Sequence, residues 1–313
     1  MEKLTVLDSA MQSPSARLRA LLDEPRNGVT TGSVGRGVGR AASTVSQYAN
    51  PEVTYPGDVA DMDDRVAAWL NRYDQRKGLP RRPPFVQTSV AEDLQATLKI
   101  AHVEGDMAFA YGPSGCGKTW ACRDYAARER DVILMTVIRG QGHIKAACLA
   151  LAHALGIKAD RKVGKRSISR GQAALVEEIF DALGGSGRLL VFDDADYLNA
   201  DTLDFLRQLH DATDVPIAFV GMLDCFERIR DSRRHEQIWN RIGTVLRLPH
   251  ISKRDAAKIL AGVHHDAVDA CWAGSQQCAR RLVKGYMRAK RIADRELVQP
   301  KHVQAAYEMQ RIA

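Results

Sequence analysis

Gly112-Pro113-Ser114-Gly115-Cys116-Gly117-Lys118-Thr119 places glycines, a lysine and a hydroxyl in a G-x-x-x-x-G-K-[ST] pattern. Each residue type there suits the gripping of a polyphosphate. The glycines let the backbone curl until its N–H groups converge on phosphate oxygens at the start of a helix. Lys118 reaches the β- and γ-phosphates, and the Thr119 hydroxyl ligates Mg²⁺. The flanks fit: Met107-Ala108-Phe109-Ala110-Tyr111 is a short apolar run suited to a buried strand, and Trp120 to Arg128 is Ala-rich and helix-permissive. Strand, loop and helix together predict binding of a nucleoside triphosphate with Mg²⁺.

Hydrolysis needs acids beside that loop. Arg188-Leu189-Leu190-Val191-Phe192-Asp193-Asp194 reads as a buried strand that delivers two carboxylates to its C-terminal edge. Asp193 is expected to anchor Mg²⁺, and Asp194 to polarise the attacking water. Most ATPases of this kind carry Glu at the second position, so the shorter Asp194 implies slow turnover or a shifted water. The alternative is Asp194 as a helix N-cap, with Asp196 as the substitute base.

The elements that must position this chemistry follow from composition and punctuation. The 313 residues give room for two or three domains. The six cysteines (116, 122, 148, 225, 271 and 278) show no C-x-x-C pair, which points to reduced thiols and a cytoplasmic protein. The first residues, MEKLTVLDSAMQ, lack the pattern of a signal peptide, and no apolar run approaches the roughly 18 residues of a membrane span. A net charge of +7 favours polyanionic partners. The expected division is 1–78 as an N-terminal unit, 79–84 (Leu79-Pro80-Arg81-Arg82-Pro83-Pro84) as a stiff basic linker, 85–249 as the nucleotide-binding core, and 250–313 as a helical part.

Within the first unit, Val34 to Tyr48 has the shape of a helix-turn-helix, with Gly39 at the turn and Ala42 to Tyr48 as the second helix. Ser43, Thr44, Ser46 and Gln47 would then face a major groove. Asp58 to Tyr73 spaces Val59, Met62, Val66, Trp69, Leu70 and Tyr73 as a packing helix. The glycines at 28, 32, 35, 37 and 39 weaken the first helix by about 1 kcal/mol each relative to Ala, which leaves a flexible Gly-rich arm as the rival reading.

Basic residues collect in two places. Residues 158–170 hold six basic side chains against one acid, and Gly164, the serines and the lack of periodicity predict a loop. Arg161, Lys162, Lys165, Arg166 and Arg170 are its candidates for contact with the backbone of double-stranded DNA, against a plain solvated loop. A second stripe, from Arg280 to Arg295, lies on a predicted helix and would be shared between nucleotide and DNA.

The order of these features, a small helix-turn-helix, a proline linker, PFVQTS, GPSGCGKT, LLVFDDADYL and a short helical lid, resembles the Mu B family of transposition ATPases, relatives of the TnsC and IstB-type helpers. The resemblance implies an α/β AAA+ P-loop ATPase, a parallel sheet sandwiched by helices with a small helical lid, behind an N-terminal all-α helix-turn-helix domain. It implies ATP-dependent homo-oligomers or filaments on double-stranded DNA of almost any sequence, and capture and activation of a transposase, with target immunity. Arg241, just before the last predicted strand (Thr244 to Leu248), falls where the family places an arginine finger for the neighbouring subunit; a surface arginine without a role is the alternative. Arg280, in preference to Arg281, matches the lid arginine at the γ-phosphate. Phe85 and Val86 fall where the family packs adenine. The strand Ile217 to Gly221 should end in a polar sensor; Met222 stands there, with Asp224 the nearest polar residue. Two rivals share the ATPase core: a DNA-replication helper or helicase loader, and a repressor whose nucleotide site only senses ATP.

Overall fold

The computed structural model describes residues 13–311 apart from 25–26, 78, 80–81, 159, 164–165, 170, 232–234 and 295; along 159–170 and at 310–311 it describes the backbone alone. The chain divides into two compact units, 1–80 and 81–313.

The described residues of the first unit form helices and no strand: α1 (Pro14–Leu22), α2 (Thr31–Val38), α3 (Ala42–Ala49) and α4 (Val59–Lys77). Local chemistry sets the ends. Ser13 caps α1 ahead of Pro14. Thr30 and Ser33 form a reciprocal capping box on α2, and Gly39, at φ 72°, ends it in the left-handed conformation. Leu18, Val34, Val38 and Val45 close a core on Met62, Val66 and Leu70, the every-fourth-residue stripe of α4. Val59 is half exposed and lies outside that stripe.

The glycines that argued for a flexible arm are what let these helices meet. A Cβ on Gly35 would stand 2.6 Å from the Arg40 carbonyl oxygen, and one on Gly37 would stand 2.4 Å from the Trp69 ring. The helix-propensity cost is offset by close packing, and α2–Gly39–α3 is an ordered pair of helices. Ser43, Ser46 and Gln47 are exposed on α3, and Thr44 is half-buried.

The second unit is built on one parallel sheet, ordered β2 (Val132–Thr136), β5 (Leu189–Asp193), β6 (Ile217–Gly221), β1 (Met107–Tyr111) and β7 (Ile242–Arg247). Strand parity divides its core in two. Met107 and Phe109, Leu190 and Phe192, and Ile217 and Phe219 point to one face, where the three phenylalanine rings lie side by side at 5.9 and 6.2 Å. Small residues take the other face: Ala108, Ala110, Ala218, Val191 and Val220. That face accepts α5 (Ser89–Glu104) and α6 (Lys118–Arg128) at close range through Leu94, Leu98, Ala121 and Cys122. Both faces of a parallel sheet are thus covered, as its near-continuous apolar strands require. The opposite face packs α7 (Ile144–Ala154), α8 (Gln172–Leu183), α9 (Ala200–Thr213) and α10 (Leu223–Arg230) through residues such as Leu151, Ile179, Leu206 and Phe226.

Between α7 and α8 lies a departure from expectation. The basic segment is an antiparallel hairpin, β3 (Asp160–Val163) with β4 (Arg166–Ser169), pairing Arg161 with Ile168 and Val163 with Arg166. Neither strand alternates apolar with polar residues, Asp160 to Val163 reading DRKV and Arg166 to Ser169 reading RSIS, so no strand pattern shows in the sequence. Lys165 and Arg170 lie outside the described residues.

After the short α11 (Glu236–Trp239) and β7 come α12 (Lys253–Ile259), α13 (His265–Ser275), α14 (Ala279–Ile292) and α15 (Pro300–Arg311). The strand β7 starts at Ile242, two residues earlier than the sequence pattern places it. Ala256, Cys271, Leu282, Val303 and Ala306 of the last helices join the same apolar cluster as the small face of the sheet. Tyr307 lies flat against Gly274 and Gly285 and donates its hydroxyl to the carbonyls of Cys271 and Arg281, binding α13, α14 and α15 together. Among the described residues no helix is long and apolar enough to cross a membrane, and the six cysteines are free thiols.

Candidate nucleotide site

The loop at 112–119 leaves the C-terminal end of β1 and runs straight into α6. Gly115 (φ 78°) and Gly117 (φ 118°) take conformations that other residues resist, and they fold the loop into a cup. Gly112 has a second constraint, since a Cβ there would stand 2.7 Å from Leu248. Lys118 is buried, and its Nζ donates to the carbonyls of Gly112 (2.7 Å) and Pro113 (3.0 Å), which holds the ammonium at the mouth of the cup.

Asp193 ends β5 on the same face as Leu189 and Val191, the face covered by α6. That parity turns its carboxylate toward the first turn of the loop helix. It is fully buried, and neither oxygen has a hydrogen-bond partner among the described residues. Burial raises its pKa above the ordinary carboxylate range, and the Asp194 charge adds to this; the nearby Thr119 hydroxyl and the Lys118 ammonium pull the other way without satisfying either oxygen. A buried carboxylate lacking partners, with a hydroxyl and a phosphate cup beside it, is a donor set that fits Mg²⁺.

Asp194 takes left-handed backbone angles (φ 55°, ψ 43°) that turn the chain sharply off the strand. It occupies the N-cap position of a 3-10 turn (Ala195–Tyr197), but its side chain makes no capping hydrogen bond. Its half-buried carboxylate is therefore not committed to that helix end. Asp196 has a different task. Its carboxylate accepts the Met222 N–H at 3.1 and 3.2 Å, pinning the corner after β6.

β6 lies between β1 and β5, so the strands that carry loop and acids end about 10 Å apart, and the first turn of α6 crosses that gap to bring Thr119 and Lys118 beside Asp193. Met222 follows that strand and is 40 % exposed, presenting an apolar side chain where a polar one was sought; Asp224 lies on the exposed first turn of α10.

Arg241 precedes β7 and sits at the opposite end of the strands from the loop, because Ile242 pairs with Met107 and Arg247 with Tyr111. A strand length of roughly 16 Å separates it from its own loop. It bonds Asp211 of α9 at 2.8 Å, and Arg207 shares that carboxylate, holding Asp211 below its ordinary pKa against the effect of its own burial.

The start of α14 rests on the loop. Arg280 N donates to the Gly115 carbonyl (3.3 Å), and Cys278 Sγ lies 3.7 Å from the Ser114 oxygen. A Cβ on Gly115 would overlap that sulfur at 2.5 Å, so loop and helix can meet only across a glycine. The Arg280 side chain is exposed, and Arg281 is bonded to Gln276. Cys116 is buried within the loop, and burial pushes its thiol pKa up, keeping it protonated. Phe85 and Val86 are half-buried, with Phe85 packed on the cluster that contains Cys116, Leu248 and Leu282.

Sequence reasoning missed three contributors. Cys278 gave no signal beyond its neighbourhood to Arg280. Asp211 is an ordinary helix acid until its partner is seen. Asp255 is buried, and its carboxylate accepts from Ser89 N and Oγ and from Ser252 N and Oγ at 2.7–3.0 Å. The Ser252-x-x-Asp255 capping box was readable; the bond to Ser89 was not.

Residues 102–229 match the family model described as AAA domain. The chain is 26% identical over 236 residues to the Mu-like prophage FluMu DNA transposition protein B of Haemophilus influenzae, covering 74% of this chain and 79% of that protein. It is 25% identical over 223 residues to the ATP-dependent target DNA activator B of Escherichia phage Mu, covering 71% and 68%. Among solved structures it resembles the Aeropyrum pernix ORC2 protein (TM-score 0.55, 17% identity, 73% of this chain and 69% of that one) and Cdc6p from Pyrobaculum aerophilum (0.55, 18%, 74% and 68%). The second unit therefore has an AAA+ fold, with its loop, acids and lid helices in one α/β framework.

The unpaired Asp193 carboxylate generates a stability prediction. Its folded-state pKa is raised, so its contribution is fully favourable below the unfolded value near ~3.9 and is lost as pH rises through the folded value. Asp193→Asn should therefore stabilise the nucleotide-free protein at pH 7 by about 1–3 kcal/mol, a gain that shrinks on acidification. Urea denaturation at several pH values checks this. A variant less stable than wild type at pH 7 would mean that the carboxylate is satisfied.

Proposed function

We propose that this chain is an ATP-dependent, DNA-binding transposition regulator. It assembles as oligomers or filaments on target DNA, and it recruits and activates a transposase. The observation that carries the reading is the pairing of a phosphate cup with the buried, partnerless Asp193 in a chain whose curated relatives are named target DNA activators and transposition proteins.

Each residue then has a role. The cup residues Gly112 to Gly117 wrap the phosphates with backbone N–H groups, and Lys118 leaves its carbonyl partners to meet the β- and γ-oxygens. Thr119 and Asp193 would hold Mg²⁺, which supplies charge neutralisation on the phosphates. Asp194 takes the proton of the water that attacks the γ-phosphate. Arg241, too far from its own loop, enters the neighbouring subunit's site, so hydrolysis depends on assembly. Arg280 reports the γ-phosphate to the lid, and Phe85 and Val86 pack the base. With Asp194 in place of a longer acid and Met222 in place of a polar sensor, turnover is slow until DNA and partner align the water.

Two variants separate binding from turnover. Lys118→Ala should abolish ATP binding and ATP-dependent assembly on DNA. Asp194→Asn should keep both and lose hydrolysis by about 10²-fold or more. Equilibrium nucleotide binding and phosphate release check this. Normal ATP affinity in Lys118→Ala would remove the site assignment, and wild-type turnover in Asp194→Asn would pass the role of base elsewhere.

DNA is held through its phosphates, chiefly by the cations of the basic segment, Arg161, Lys162, Lys165, Arg166 and Arg170, with Ser43, Thr44 and Gln47 of α3 adding avidity. The hairpin sequence has no aromatic residue for base stacking. Affinity should be nearly independent of sequence and fall with salt at a slope near −0.9 per phosphate contact. Replacing Arg161, Lys162, Lys165 and Arg166 by Ala should flatten that slope and leave ATP affinity unchanged. A quadruple variant with the wild-type slope would move the contact to the Arg280–Arg295 stripe.

A further inference from the structure

The lid meets the nucleotide site at two places. At one, the start of α14 touches the phosphate cup through Cys278 and Arg280. At the other, α12 grips the segment that leads from Phe85 into α5. Asp255 receives the backbone N–H and the hydroxyl of Ser89, each at 2.8 Å, while Ser252 supplies its own N–H (3.0 Å) and hydroxyl (2.7 Å). One turn on, Lys258 Nζ donates to the Gln87 carbonyl (2.9 Å) and reaches Glu92 (3.1 Å). Residues 87–92 are thus held to α12 at three points. The carboxylate at the centre is 1 % exposed, and four donors hold its pKa below the usual range against the effect of burial.

A capping box uses such an acid to serve its own helix, and Ser252 accounts for that part. The two bonds to Ser89 go beyond it. They tie together residues 166 positions apart, three or four residues from Phe85 and Val86. We infer that Asp255 is a positioning residue for the base: through Ser89 it fixes the segment carrying Phe85 and Val86 against the lid, and so sets how tightly the adenine end of ATP is held. This rests on the assignment of Phe85 and Val86 to the base. The phosphate cup is built from other elements and does not pass through Asp255.

That separation gives the test a readout which general destabilisation would not produce. Affinities for ATP and for inorganic tripolyphosphate, both with Mg²⁺, are measured by titration calorimetry on the full chain. Asp255→Asn places an amide donor among four donors; it should weaken ATP binding by about tenfold while tripolyphosphate affinity stays within about twofold of wild type. Ser89→Ala removes one bond and leaves Asp255 three donors, so it stays folded even where Asp255→Asn does not; it should weaken ATP alone by about two- to threefold. Ser89→Thr keeps the hydroxyl and should restore ATP binding. Equal loss of both ligands, or loss of neither in Ser89→Ala, would overturn the positioning role while leaving the nucleotide site intact. Wild-type protein that binds neither ligand would overturn the nucleotide reading, and the positioning role with it.

Discussion

A fully buried carboxylate without a hydrogen-bond partner is among the most costly groups a fold can carry, and Asp193 is that group. Its position is not incidental. Parity along Leu189-Leu190-Val191-Phe192-Asp193 sends it to the face with the small residues, where Ala108, Ala110 and Ala218 let α6 come close. The large residues, Phe109, Phe192 and Phe219, go to the other face and anchor the sheet. Large on one side and small on the other is thus what brings the first turn of the loop helix, with Lys118 and Thr119, over the acid.

Glycine at three kinds of contact completes the arrangement. In the loop, Gly115 gives way to Cys278, so that the lid can rest on the phosphate cup. In the lid, Gly274 and Gly285 give way to Tyr307, which holds three helices as one piece. In the first unit, Gly35 gives way to the backbone after the turn. Each of these positions loses helix or loop stability locally and gains a contact that a side chain would prevent.

Much of this was legible in the sequence because it is local. The phosphate loop, the strand ending in Asp193 and Asp194, the turn at Gly39 and the stripe Met62, Val66, Leu70 are all patterns within a few residues, and the structure has them as elements at those places. What was not legible depends on pairs far apart in the chain. Asp255 with Ser89 and Arg241 with Asp211 are ordinary residues until the fold joins them. The glycines supported only the rival reading of a flexible arm, since their weakness as helix formers is local and their value in packing is not. The hairpin at 160–169 was read as a loop because its two four-residue strands carry no alternation of apolar and polar residues, and Gly164 and the serines favour a turn.

The central claim is that nucleotide occupancy of this site governs assembly on DNA. Arg241 sits a strand's length from its own loop, and the lid touches the loop through Cys278 and Arg280. A complete site would then need a second copy, with the lid conveying the nucleotide state. Negative-stain microscopy of the full chain with duplex DNA of random sequence tests this directly. The account predicts regular oligomers or filaments along the duplex with a non-hydrolysable ATP analogue and their absence with ADP. Isolated particles at defined positions on DNA, or the same assemblies whichever nucleotide is present, would contradict it.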